Sequence, residues 1–430
     1  MSPTEIPLAA VASPLHRESA VREVVEEIAE TLNRECGPRF KIVWDGRVVT
    51  DACGAREFAE RVAKASPPAA VVAVATGGSE SLIVEIAGLL GTGYPILVAA
   101  HKRMNSLAAA VEAYSRLRAE GFRAVDVVLT GTASGSGALP TLRAAAARNA
   151  LKGMKLLILG GYSEWLVHSA VSGESLMLDM GVIAERVPLD ELLKTFESVG
   201  CDDVAHLLKR FEGVERVGVS EEALVRALRL YVALKKLLNA RKADAVTVRC
   251  FDLLPHGLTA CLPLSMLNDE GIVAACEGDV PAALTMALLK EVSGEPAFMG
   301  NVAWVSSVDG TALLTHCTAP TKPFLGGFRL RTHYESGVGV AVEALPAGGE
   351  EVTIARLDGR LKTIVAGVGE VVNRGPITGE ACRTQILVRL ERPLTLIKAG
   401  VGNHYALVRG SWLEELKRFA RMTGYGLIKV

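Results

Sequence analysis

Two carboxylates stand two positions apart in the segment 276–279 (Cys-Glu-Gly-Asp), after an apolar run and before a helical pattern. Ligands of α/β proteins bind beyond the ends of strands, so Glu277 and Asp279 stand where a site is expected. Such a pair could bind a hard divalent cation, or one carboxylate could bind it while the other transfers a proton. Asp279 has a structural alternative, because an Asp followed by Val280 and Pro281 is a good helix N-cap. Glu277 has none, since a buried Glu is seldom left unpaired.

Two histidines supply candidate nitrogen ligands. His404 ends the segment 402–404 (Gly-Asn-His) inside an otherwise apolar strand pattern, and His316 stands in a similar apolar run. Neutral imidazole is the commonest nitrogen ligand of transition metals such as Mn²⁺ and Co²⁺. A lone histidine is, however, more often a structural residue whose ring nitrogens are hydrogen-bonded within the protein.

Asp252 and His256 follow another apolar strand pattern at 245–250. If this strand runs parallel to the one before Glu277, both segments lie at the same edge of the sheet. The alternative is a structural turn, which an Asp and a Pro-His-Gly sequence also favour.

Two glycine-rich turns, 76–80 and 160–164, each follow a strand pattern. Either could bind an anion at a helix N-terminus. Neither contains a GxGxxG or P-loop motif, so the sequence gives little support to a nucleotide site.

Composition narrows the class of protein. The chain has 430 residues, of which 50% are hydrophobic and 22% charged, with a formal charge of −1. This length predicts two or three domains, and the balanced charge argues against a nucleic-acid partner. No stretch reaches the ~18 apolar residues of a membrane span, and the N-terminus does not resemble a signal peptide. Eight cysteines without a CxxC pair indicate buried thiols in a reducing compartment, so we expect a cytoplasmic protein without a membrane partner.

Strand and helix patterns alternate around these residues. Continuous apolar runs at 69–75 and 155–159 predict strands covered on both faces, and amphipathic patterns at 18–33 and 105–120 predict helices. This alternation predicts doubly wound parallel sheets. After about residue 300, short alternating segments between glycine turns predict an antiparallel β-sandwich or barrel.

Several segments resemble those of a known family in the same order: ATGGSES, PILVAAHKRMNSLAAAVEAYSRL, LLILGGYSEWLV, VRCFDLLPHG, IVAACEGDVPAALTMALL, LLTHC and GVGNHYALVRG. Together they look like the L-fucose/L-arabinose isomerase superfamily, especially its shorter fucose isomerase-like branch. The resemblance covers nearly the whole chain. It implies two flavodoxin-like α/β domains, at 1–152 and 153–298, then an antiparallel β-barrel-like domain with a terminal helix at 299–430. It also implies a homo-oligomer, either a trimer or a hexamer.

The resemblance further implies metal-dependent aldose–ketose isomerisation of a pentose or deoxyhexose through a cis-enediol. The family uses Mn²⁺, and Co²⁺ or Mg²⁺ are alternatives. Two carboxylates and one histidine bind the metal in that family. By segment match, one carboxylate is assigned to Asp279, with Glu277 as its close rival, and the histidine is His404.

The other family carboxylate lies a couple of dozen residues upstream of this segment, where the chain offers Asp252 but no glutamate at the expected place. Either Asp252 substitutes for it, Glu277 takes its role, or the enzyme carries out altered chemistry. The resemblance therefore assigns catalysis to Glu277, Asp279 and Asp252. Three further residues are expected to hydrogen-bond the sugar: His316, His256 and Asn403.

Two other functions stay open. The chain could be a non-catalytic sugar- or phosphosugar-binding protein on the isomerase fold, because recognition needs no acid/base pair. It could also be an enzyme on the same scaffold that acts on another modified sugar, such as a sulfonated one.

Overall fold

The computed structural model describes residues 2–132, 135–322, 326–360 and 362–430. The chain forms two compact units, Met1–Asn149 with Glu414–Tyr425, and Ala150–Leu413 with Gly426–Val430. Within the described ranges, no helix is both long and apolar enough to cross a membrane. The three-domain division at 152 and 298 stays a prediction.

The first unit contains a five-stranded parallel sheet in the order β2-β1-β3-β4-β5. Its elements are β1 (Thr4–Val11), α1 (Glu18–Cys36), β2 (Phe40–Val49), α2 (Ala52–Ala65), β3 (Ala70–Val74), α3 (Glu80–Leu90), β4 (Ile96–Ala100), α4 (Ser106–Ala119), β5 (Val125–Leu129) and most of α5 (Ala138–Leu151). Every residue of β3 and β4 is buried, as expected of strands covered by helices on both faces. The strand order is that of flavodoxin-like folds.

The second unit begins with a four-stranded parallel sheet in the order β10-β9-β6-β7. Its elements are β6 (Lys155–Leu159), α6 (Gly173–Met180), β7 (Ile183–Val187), α7 (Leu189–Glu197), α8 (Ala205–Leu208), β8 (Arg216–Val217), α9 (Glu221–Arg241), β9 (Ala245–Val248), α10 (Cys261–Asp269), β10 (Val273–Cys276) and α11 (Val280–Ser293). Because β6, β9 and β10 are parallel, the segments that follow them meet at one edge of the sheet.

An antiparallel barrel follows in the same unit. The elements after α11 are β11 (Phe298–Ser306), β12 (Thr311–His316), β13 (Phe328–Arg331), β14 (Ala341–Ala344), β15 (Glu351–Leu357), β16 (Thr363–Val371), β17 (Thr384–Arg389), α12 (Thr395–Lys398), β18 (His404–Arg409), α13 (Leu413–Thr423) and β19 (Gly426–Lys429). Of these, β13 and β14 form a separate three-stranded sheet with β8, and α13 belongs to the first unit from Glu414 onward. Six strands close in the order β15-β18-β11-β12-β17-β16, because β15 also pairs with β16. The predicted fold class, two doubly wound parallel sheets and then an antiparallel β-barrel, is confirmed.

Two segments differ from the sequence-based expectation. An irregular stretch follows the turn 160–164, and α6 begins only at Gly173. The region before β10 contains α10, which the sequence patterns did not predict and whose nine residues are all buried. A helix that is buried on every side has no polar face, so its sequence lacks the amphipathic period by which helices are recognised.

Candidate metal centre

Glu277 follows β10 directly and has a left-handed backbone conformation, with φ of 61°. A non-glycine residue in this region is uncommon, and such residues cluster at functional sites. Gly278 is left-handed as well, and a Cβ there would overlap the carbonyl oxygen of Gly161. The backbone N–H of Ser163 also donates to the carbonyl oxygen of Glu277 at 3.1 Å. The turn after β10 is therefore held against the segment that follows β6.

Glu277, His316 and His404 bring one potential ligand atom each to within 4.8 Å of one another, and all three are buried. Oε1 of Glu277 lies 3.7 Å from Nε2 of His316 and 3.5 Å from Nε2 of His404. One carboxylate oxygen and two imidazole nitrogens form a donor set that suits a divalent transition metal. Across the described part of the chain, no other group of three or more His, Cys, Asp or Glu residues meets this criterion.

Each imidazole is oriented through its other nitrogen. Nδ1 of His316 lies 2.9 Å from Oγ1 of Thr318, and Nδ1 of His404 lies 2.9 Å from Oδ2 of Asp279. Nε2 of His404 is buried and has no hydrogen-bond partner among the described residues, although such atoms are normally paired. A bound cation would satisfy this nitrogen, and a carboxylate behind a metal-binding histidine is the usual arrangement. The residues therefore fit a divalent cation.

Asp279 is fully buried, and both of its oxygens are engaged by the protein. Oδ1 accepts the backbone N–H of Ala282 at 2.9 Å, so the N-cap that was the structural alternative is present. Nη1 of Arg356 donates to Oδ2 at 3.1 Å, and Nη2 lies 3.4 Å from Oδ1. Together with the contact to His404, these interactions place Asp279 behind one imidazole of the group rather than within it.

Arg356 lies on β15 and is completely buried. Besides Asp279, its guanidinium donates to three groups: the Ser169 hydroxyl and the carbonyl oxygens of Val401 and His404. A Cβ at position 402 would lie 2.5 Å from Nη2, so only glycine allows this close approach. A buried charge requires such partners. Arg356 was not among the site residues predicted from the sequence, where the available signal was a single charged residue inside an otherwise apolar strand pattern.

The charges of the centre offset one another. Burial raises the pKa of Glu277, but the imidazoles of His316 and His404 outweigh burial and hold that pKa far below its usual range. Burial also raises the pKa of Asp279, and the larger opposing effect of Arg356 and His404 lowers it to about 2. For His404, burial lowers the pKa, whereas Asp279 and Glu277 raise it, with a net upward shift. Both carboxylates are thus ionised at neutral pH. Because the pKa of His404 is raised, a cation would compete with a proton for this histidine.

Three other predicted site residues lie outside the Glu–His–His group. Asp252 pairs with Arg249 at 3.0 Å, and its side chain is 41% exposed. His256 is exposed at the end of a short 3₁₀ helix. Asn403 is exposed and donates to Oδ1 of Asn301 at 2.8 Å. The catalytic or sugar-binding roles of these three residues stay predictions. The roles of Glu277, His316 and His404 stay predictions as well.

Trp165 is a site residue that sequence analysis missed. Its indole N–H donates to Oε2 of Glu277 at 2.7 Å. The ring of Phe251 packs edge-on against the indole, with centroids 5.0 Å apart, and His333 packs against Phe251 at 5.6 Å. The available signal was an aromatic residue immediately after a glycine-rich turn at the end of a strand.

Some N–H groups of the glycine turns are already engaged within the protein. The turn 76–80 precedes α3, but the N–H of Gly78 donates to the carboxylate of Glu80, which already supplies a negative group. The N–H of Gly77 donates to the carbonyl oxygen of Met104. The turn 160–164 has no helix directly after it.

The fold and the site define an α/β protein with a C-terminal β-barrel and a buried group able to hold a metal. No protein-family model matches the chain. The chain is similar to the sulfoquinovose isomerase of Priestia megaterium, with 27% identity over 289 residues, which are 64% of each chain. It thus spans just under two thirds of that relative's length. The sulfoquinovose isomerase of a Clostridium species is 24% identical over 351 residues, 76% of this chain and 77% of that one.

Similarity to solved structures is more distant. The glucose-galactose binding protein GanP from Geobacillus stearothermophilus has 12% identity and a TM-score of 0.19, over 69% of this chain and 93% of that one. A solute-binding protein from Agrobacterium vitis with bound D-fucose has 12% identity and a TM-score of 0.18, over 68% and 90%. At these scores the similarity supports no argument about fold or function.

Proposed function

We propose that the protein is a metal-dependent aldose–ketose isomerase whose active centre contains Glu277, His316 and His404. The observation that carries this proposal is the buried Nε2 of His404, which lacks a hydrogen-bond partner among the described residues and stands 3.5 Å from Oε1 of Glu277. The similarity to proteins named sulfoquinovose isomerase supports the reaction class.

The donor set favours certain cations. Mg²⁺ prefers oxygen ligands and retains its waters, whereas imidazole nitrogens suit transition metals better than they suit Mg²⁺. Two histidines and one carboxylate therefore favour Mn²⁺ or Co²⁺ over Mg²⁺. When bound, such a cation would polarise the sugar carbonyl as a Lewis acid.

Isomerisation through a cis-enediol moves one proton between C2 and C1 and another between the two oxygens. Asp279 is buried and accepts hydrogen bonds on both oxygens, so we propose that it orients His404 rather than transferring a proton. Either Glu277 or the partly exposed Asp252 would then transfer the proton. The Asp252→Asn variant separates these two assignments, because it abolishes C2 exchange only if Asp252 is the base.

The proposed substrate is an aldose of the pentose or deoxyhexose class. Because the relatives are named sulfoquinovose isomerases, the first sugar to test is sulfoquinovose, a sulfonated deoxyhexose. We propose a homo-oligomeric assembly as well, because the family that the sequence resembles assembles as trimers or hexamers.

The decisive experiment incubates the purified protein with Mn²⁺ and a panel of aldoses in D₂O, including sulfoquinovose, L-fucose and L-arabinose. NMR should show the ketose product with deuterium at C1, and EDTA should abolish the conversion. Glu277→Gln and His404→Ala should also abolish it, since each removes a proposed ligand. Conversion that survives EDTA unchanged would refute metal-dependent isomerisation.

A non-catalytic sugar-binding protein is the second candidate. Within the described ranges, the group that could hold a metal contains one carboxylate, Glu277, whereas enediol chemistry uses an acid/base pair. Sugar binding without deuterium exchange for any member of the panel would favour this candidate.

A further inference from the structure

The segment after β6 contacts Glu277 at two points. The backbone N–H of Ser163 donates to its carbonyl oxygen at 3.1 Å, and the indole N–H of Trp165 donates to Oε2 at 2.7 Å. Gly278 adds a close backbone contact to Gly161, where a side chain would not fit. One segment therefore fixes both the main chain and the carboxylate of this candidate ligand.

The orientation of the indole is itself supported. Phe251 packs edge-on against Trp165, with an interplanar angle of 78°, and His333 packs against Phe251 at 84°. Trp165 is 50% exposed, whereas Glu277 is 9% exposed. The indole thus reaches from the surface to a buried carboxylate, and its aromatic neighbour restricts its rotation.

The two oxygens of Glu277 have different partners. Oε1 faces Nε2 of His316 and Nε2 of His404, whereas Oε2 accepts the indole N–H. A hydrogen bond to an ionised group is short and strong, so it competes with binding of a cation by the same oxygen.

We infer that Trp165 is a positioning residue that makes Glu277 a monodentate metal ligand through Oε1. A metal held by one oxygen of Glu277 and by the two imidazoles would keep positions open for substrate, as catalytic metal sites require, and the neighbouring carbonyl and hydroxyl oxygens of a sugar could bind there. The part that concerns the sugar rests on the proposed function. The part that concerns Glu277 and the metal does not.

The test replaces Trp165 by Phe, which removes the N–H donor and keeps an aromatic ring against Phe251. Removing an outer partner of a metal ligand typically weakens metal binding by roughly 10- to 100-fold, so we expect at least about a tenfold rise in the Kd for Mn²⁺. Electron paramagnetic resonance of Mn²⁺ alone, without sugar, measures this Kd. The spectrum of bound Mn²⁺ should also change, because both oxygens of Glu277 become available.

Trp304→Phe is the matched control, since Trp304 is also 50% exposed and lies on β11 in the same unit. It should leave the Kd and the spectrum unchanged. A Trp165→Phe protein with a native Kd and a native spectrum would overturn the inference.

If Trp165→Phe alters the circular dichroism spectrum, the Mn²⁺ affinity of Trp165→Gln is measured as the test instead. The side-chain amide of Gln supplies an N–H donor at a similar distance from the main chain. Mn²⁺ affinity within threefold of the native protein then supports the positioning role, and a loss of tenfold or more refutes it. These measurements contain no sugar, so a failure to isomerise any sugar would count against the proposed function and leave this inference standing.

Discussion

Replacing Asp279 by Asn tests the arrangement behind His404. Asn is nearly isosteric and is as good an N-cap as Asp, so the cap of α11 should persist. The substitution removes the negative charge that faces the buried guanidinium of Arg356 at 3.1 Å. It also brings an amide N–H₂ group to the carboxylate's position, where it can face Nδ1 of His404 and favour the tautomer that carries its proton on Nε2.

Two separate estimates give a similar loss in the free energy of unfolding for Asp279→Asn. A carboxyl pKa held at about 2, against an unperturbed value near 3.9, corresponds to roughly 3 kcal/mol at pH 7. Removing one partner of a buried ion pair costs roughly 3–5 kcal/mol. Because Asn can still accept a hydrogen bond from Arg356, we expect a loss of about 3 kcal/mol in the free energy of unfolding.

The sign of the pH dependence follows from the lowered pKa. The stability that the Asp279 carboxylate contributes is fully present above its unfolded pKa of about 3.9 and disappears as the pH falls through the folded value. The part of the difference between the native protein and Asp279→Asn that comes from the Asp279 carboxyl group should therefore be constant from pH 7 to about 5. It should then shrink between roughly pH 4 and pH 2.

Urea unfolding of the metal-free protein, followed by circular dichroism, measures the stability difference, and a Mn²⁺ titration measures the Kd. We expect Mn²⁺ binding to weaken by roughly 10- to 100-fold. Asp51→Asn is the control, because Asp51 caps α2 through Gly54 at 2.9 Å and is exposed. If Asp279→Asn changes neither stability nor the Kd beyond the Asp51→Asn variant, the orienting role assigned to Asp279 is wrong.

Two further predictions concern the same centre. Gly402→Ala should destabilise the protein by about 3 kcal/mol, because its Cβ would displace the Arg356 guanidinium. Gly400→Ala, which meets no atom within 4 Å, should cost only the roughly 1–2 kcal/mol of a left-handed backbone; equal urea midpoints would contradict this account. Mn²⁺ affinity should fall as the pH is lowered, because the carboxylates raise the pKa of His404 and a proton then competes for Nε2. A calorimetric Kd that is independent of pH between 5 and 8 would exclude His404 as a ligand.

Local sequence patterns determined the fold class and part of the site. Continuous apolar runs such as 69–75 have no solvent-facing side, so they predict buried parallel strands, and β3 confirms this prediction. A carboxylate after a strand in an α/β pattern indicates a site at the sheet edge. Glu277 and His404 were therefore accessible as candidates from residue type and local context.

Other features could not be predicted from local sequence, because they depend on pairing between segments that are distant along the chain. In the barrel, Asn301 of β11 stands opposite both Thr315 of β12 and His404 of β18. This register places the end of β12 and the start of β18 at the same level of the barrel, where the rings of His316 and His404 lie 5.5 Å apart. A histidine predicted to contact the sugar therefore joins the possible metal ligands.

The choice between the two carboxylates of 276–279 also required the tertiary structure. The sequence by itself determined that an acidic pair follows a buried strand and that Asp279 can cap a helix. Only the tertiary structure decided that Glu277 faces the two imidazoles while Asp279 is held by Arg356. The physical reason is that the left-handed backbone at Glu277 sets the direction of its side chain, whereas the guanidinium of Arg356, 77 residues further along the chain, holds Asp279. Neither feature follows from the sequence of residues 276–279.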